Sequence, residues 1–224
     1  MTKTNSFQNS SIGKKQIIAV TGLALILFVI GHLAGNLFIF SGAKAYIHYA
    51  EKLASLRPGL YVVEAMLVAI FVIHMCLTIL LVCEKVRNRP VNYAVRATKG
   101  ERSVSTKLMA FTGTVVLGFV IYHLLDFTFI NHDGPRSVLA DGQSYGIYGV
   151  VINSFLDPIH ASIYFVAMIC VGLHLSHAIQ SIFQTFGYNH PRYTPVLRKI
   201  SNYIGAIVAG VYASIPLFVL VNFQ

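Results

Sequence analysis

The chain has 224 residues, of which 55% are hydrophobic and only 11% charged, with a formal net charge of +9. Its mean hydropathy is +0.66. This composition excludes a disordered chain and an ordinary soluble enzyme domain, and is that of a membrane protein.

A spanning helix needs about 20 mostly apolar residues. Five stretches qualify, near 15–40, 61–83, 107–130, 157–184 and 200–222. They predict an all-α membrane protein of five transmembrane helices, a single domain over 1–224 with no room for a soluble catalytic domain. The first apolar run is too long for a cleavable signal peptide and lacks a small-residue cleavage pattern.

Span one carries His32, and the segment after it holds His48, Glu51 and Lys52. Span two opens with Glu64 and carries His74, eleven residues before Lys85. Span three carries His123, followed one turn later by Asp126. Span four is expected to start at Asp157 with Pro158 as its first helical residue. Its first turn holds His160, expected at the outer surface, and it offers His174 and His177 further on. Cys76, Cys83 and Cys170 lie in the spans without metal-binding spacing and read as small apolar residues.

Spans one and three echo each other. Ala19–Leu33 reads AVTGLALILFVIGHL and Ala110–Leu124 reads AFTGTVVLGFVIYHL, identical at 8 of 15 positions. A Thr-Gly pair stands ahead of each histidine, with Gly22 ten residues before His32 and Gly113 ten before His123.

Basic residues are distributed as membrane topology requires, so nucleic acid is not an expected partner. Thirteen of the 17 fall on one side: Lys3, Lys14 and Lys15, seven from Lys85 to Lys107, and Arg192, Arg198 and Lys199. Lys44, Lys52, Arg57 and Arg136 fall on the other. The positive-inside rule then places the N-terminus in the cytoplasm. A basic face of this density is also suited to lipid headgroups or a soluble partner.

A histidine inside a membrane span is costly and marks function by default. At 1.5 Å rise per residue, His32 and His123 both lie about 25 Å from the basic edge. His74 lies about 16 Å from it, and His174 is level with His74 on the inner half. Two depth-matched pairs, one histidine per helix, suit the axial ligands of two haems held in a helix bundle. His32 and His123 would hold the iron of an outer haem, His74 and His174 that of an inner one. Gly22 and Gly113 lie about 15 Å deeper than their own histidines, where an inner haem could approach the backbone. No C-x-x-C-H occurs, so such haems would be non-covalent haem b.

With the histidines placed, the chain resembles the cytochrome b membrane anchor of succinate dehydrogenases and fumarate reductases, in its single-chain, five-helix, di-haem form. The segments that carry the likeness are GHLAGNLFIFSGAKAYIHYAEKLASLRP, FVIHMCLTILLVCEK, FVIYHLLD and HLSHAIQSIFQTFG. The family ligand precedes an aromatic-Gly pair by twelve residues, a spacing that Phe186-Gly187 gives to His174. The resemblance implies an electron-transfer subunit of the bacterial cytoplasmic membrane. It also implies an iron–sulfur subunit and a flavoprotein with FAD on the cytoplasmic face, and menaquinone or another quinone as substrate. It leaves a dimer of the whole complex open. It departs at Gly172, where some two-haem fumarate reductases carry a proton-moving glutamate.

Quinone chemistry moves two protons with its two electrons and needs a proton-exchanging group. Near the outer haem the candidates are Glu51, Glu64 and Asp126. Two rival readings remain: the cytochrome b anchor of a hydrogenase or formate dehydrogenase, and a haem-free transporter with a histidine proton relay.

Overall fold

A computed structural model of the chain describes residues 10–88 and 104–223. Lys3 and most of the basic loop between spans two and three, with Arg89, Arg96, Lys99 and Arg102, lie outside the described residues.

Five long helices correspond to the five apolar stretches: α1 (Ser11–Asn36), α3 (Gly59–Arg87), α4 (Val104–Phe127), α6 (Pro158–Thr185) and α7 (Thr194–Asn222). All five are long and apolar enough to cross a membrane, so the chain is an all-α protein of multi-pass membrane type. Two short helices stand between them, α2 (Ala43–Ala54) and α5 (Gly146–Phe155). By length and apolarity the sequence predicts only connecting segments there. Among the described residues there is no β-strand, only one isolated bridge between Val138 and Ser144.

Local chemistry sets the helix ends. Ser10 caps α1 by accepting the Gly13 N–H at 3.0 Å. The Asp157 carboxylate accepts the Ile159 N–H at 2.9 Å ahead of Pro158, so α6 starts where the sequence placed it. At its other end Gly187 adopts φ +88°, which closes the helix in a conformation glycine tolerates.

The long helices run alternately up and down. At the basic end, Lys14 near the start of α1 forms an ion pair with Glu84 near the end of α3. Lys14 is 8% exposed, so this cation is engaged within the chain. Lys15 beside it is exposed. Helix α6 is the central element: α4 and α1 pack on it, and α7 lies against it along its length. The α6–α7 crossing is close because both helices present glycine. A Cβ added at Gly172 would stand 2.5 Å from the Gly205 carbonyl oxygen. Small residues let membrane helices approach in this way. A glutamate at position 172 would meet the backbone of α7.

Helix α5 explains why a ten-residue apolar segment is tolerated outside a span. Val150 is fully buried, and Tyr148, Val151, Ile152 and Phe155 are buried in one cluster with Ile39, Tyr46, Tyr164, Ile215 and Val219. It therefore seals the end of the bundle opposite the basic one. Cys76 and Cys83 lie exposed on α3, and Cys170 alone is buried. The reading of all three as small apolar residues is compatible with a lipid-facing position for the first two.

Candidate functional site

The four span histidines occupy two levels of the bundle. At the upper level His32 of α1 and His123 of α4 meet, with ring centroids 5.9 Å apart and planes at 81°. Each is stacked by the phenylalanine one turn before it. Phe28 lies 5.4 Å from His32 at 17°, and Phe119 lies 5.7 Å from His123 at 30°. The sequence echo is thus also an echo of packing.

At the lower level the Thr-Gly pairs appear. The Thr21 hydroxyl of α1 is 3.1 Å from His74 Nδ1 on α3. The Thr112 hydroxyl of α4 is 3.4 Å from His174 Nδ1 on α6. A Cβ added at Gly22 would stand 3.2 Å from His74 Cε1, and one at Gly113 would stand 3.3 Å from His174 Cε1. Each glycine therefore accommodates an imidazole of the adjacent helix, in addition to any planar group. Of the two histidines on α6, the one that Thr112 and Gly113 meet is His174. The two levels are separated by the ten residues from Gly22 to His32, about 15 Å along the axis.

Two imidazoles from facing helices are the protein-side donor set that a haem iron would need. Structural zinc takes four protein ligands and catalytic zinc three. Among the described residues no group of three or more His, Cys, Asp or Glu could hold a metal ion. A haem iron takes four nitrogens from its macrocycle and needs two more. A metal–imidazole bond is about 2 Å, so two rings sharing one iron have centroids about 6 Å apart. The His32–His123 separation matches that spacing. His32 differs from the others in one respect: the Asn36 amide lies 3.3 Å from its Nε2 while also donating to the His32 carbonyl at 2.9 Å. The Asn36 oxygen in turn accepts from the Tyr46 hydroxyl at 3.2 Å. Burial, with Tyr49 adding to it, pushes the Tyr46 hydroxyl up to about 12, so it stays protonated as a donor.

One turn beyond His123 lies a polar cluster. Asp126, whose side chain is 9% exposed, pairs with Arg136 at 2.7 Å. Its second oxygen accepts the Tyr164 hydroxyl at 2.9 Å. That hydroxyl oxygen is 3.4 Å from His123 Nδ1. His160 Nε2 stands 2.9 Å from the same carboxylate oxygen, off the line a hydrogen bond needs, while its Nδ1 meets the Tyr122 hydroxyl at 2.9 Å. Arg136 also reaches Ser154 of α5. His160, in the first turn of α6, packs on Tyr164 at 5.0 Å and 25°. Its place was legible only as the i, i+4 pair His160/Tyr164 on one face of α6.

The three candidate carboxylates are not equivalent. Glu64 is half exposed and pairs with Arg57 at 3.6 Å, and Glu51 is exposed on α2. Asp126 is the one joined, through Tyr164, to a span histidine.

Compared with known proteins, the chain matches no family model, no curated protein and no solved structure.

Proposed function

We propose that the chain is a di-haem cytochrome b subunit, the membrane anchor of a succinate dehydrogenase or fumarate reductase. The observation that carries this reading is the repeated lower-level geometry. In each half of the bundle a Thr-Gly pair of one helix meets the imidazole of the next, one level below a second histidine. His32 and His123 would hold the outer haem, and His74 and His174 the inner one. Bound haem supplies one-electron transfer between an iron–sulfur partner and membrane quinone.

The protein's own groups would do the rest. The apolar helices exclude water and fix the four imidazoles. Reduction of quinone to quinol takes up two electrons and two protons, and Asp126 is the carboxylate best placed to exchange protons near His123. Glu51 and Glu64 are the alternatives, but their exposure and the Glu64–Arg57 pair set them apart. In this reading the subunit lies in a bacterial cytoplasmic membrane with its N-terminus inside. An iron–sulfur subunit and an FAD-bearing flavoprotein dock on the basic face, and the quinone is menaquinone or a relative.

Isolation of the chain with its natural partners tests the assignment. Succinate- or fumarate-linked polypeptides should co-purify. Asp126→Asn should lower quinone-coupled turnover at least tenfold while succinate oxidation with an artificial acceptor persists. Co-purification with a hydrogenase or formate dehydrogenase module would instead support the other cytochrome b reading.

A further inference from the structure

We infer that Thr21 and Thr112 are positioning residues that fix the tautomer of His74 and His174, leaving each Nε2 unprotonated as an iron ligand; this rests on the di-haem reading above.

The inference follows from counting hydrogens. A threonine hydroxyl has one hydrogen to donate. That of Thr21 faces the carbonyl oxygens of Ile17 at 2.8 Å and Ile18 at 3.1 Å. That of Thr112 faces the carbonyls of Leu108 at 3.1 Å and Met109 at 3.2 Å. In both cases the acceptor nearest the hydroxyl is a carbonyl oxygen of the same helix, nearer than Nδ1, so the hydroxyl hydrogen is assigned to that carbonyl. What each threonine presents to the neighbouring helix is a lone pair. The imidazole nitrogen facing it must then carry the hydrogen, and in both cases that nitrogen is Nδ1. A neutral imidazole with Nδ1–H has a bare lone pair on Nε2.

The glycine next to each threonine completes the arrangement. Gly22 and Gly113 bring the imidazole Cε1 against the neighbouring backbone, and a side chain there would push the ring away from the hydroxyl. The Thr-Gly pair is therefore one device used twice: the glycine admits the ring and the threonine orients it. A ligating histidine commonly has its second nitrogen held by an acceptor, which raises its basicity and favours the oxidised metal.

The test uses the intact haem-loaded protein with Thr21→Val, Thr112→Val and the corresponding serine variants. Haem content, the midpoint potentials of the two haems and low-temperature EPR g-values are measured for each. Loss of the acceptor should favour the reduced iron of the inner haem about tenfold, a rise of about 59 mV for a one-electron couple. The g-values of that haem should move, and those of the outer haem should not. Serine, which keeps the hydroxyl, should restore wild-type values. Val variants that lose the inner haem while Ser variants keep it also support the inference. Unchanged inner-haem potentials and g-values in both Val variants overturn it, as does a Ser variant that behaves like Val. Wild-type protein that holds no haem overturns the di-haem reading together with the inference, a separate and recognisable outcome.

Discussion

At the scale of single residues, the directionality of hydrogen bonds does most to define the candidate sites. The Tyr164 hydroxyl follows the same rule as the threonines. It donates to Asp126, so it offers a lone pair to His123. Three of the four span histidines therefore have Nδ1 facing a hydroxyl whose hydrogen is engaged elsewhere. The glycines give a steric prediction. In Gly22→Ala and Gly113→Ala the new Cβ would stand 3.2 and 3.3 Å from an imidazole carbon, so each ring must give by a few tenths of an ångström. The inner-haem spectrum should change in both variants at an overpacking cost of about 1–3 kcal/mol. Gly118→Ala, where an added Cβ meets nothing within 4 Å, should leave the spectrum unaltered.

At the scale of elements, α6 and α7 depend on a crossing that no larger residue fits. Gly172→Ala would place a carbon 2.5 Å from a backbone oxygen, which a side-chain rotation cannot relieve. A stability loss of about 1–3 kcal/mol or more is expected, read as a lower denaturation midpoint in detergent. Gly210→Ala on the open face of α7 should be neutral or gain up to about 1 kcal/mol from helix propensity. The long helices were legible in the sequence because length and apolarity alone define a span. Helix α5 was not. Its segment GIYGVVINSF is too short to span and rich in β-branched residues, and it is helical because tertiary packing buries it against α6 and α7. Helix α2 carried a signal in the spacing of Ala43, Tyr46 and Ile47, an amphipathic face in a short segment.

At the scale of the whole molecule, the described chain consists of two similar units and one addition. A long, a short and a long helix (α1–α3) are followed by a second such set (α4–α6), and α7 braces the last of them. The echo between spans one and three exposed this partly, since Thr-Gly and His recur at the same offset. Their partners His74 and His174 do not share that offset, because the connections differ in length, so pairing them needed depth from flanking charges. The Asp126 cluster was illegible for another reason. Arg136, Ser154, His160 and Tyr164 reach it from a loop and two further helices, and nothing local in sequence announces that convergence.

The central claim is that four histidines form two haem sites, and haem content tests it most directly. Protein purified from its natural membrane should release two equivalents of non-covalent haem b per chain. One equivalent would contradict the double pairing, and none would contradict the haem assignment altogether.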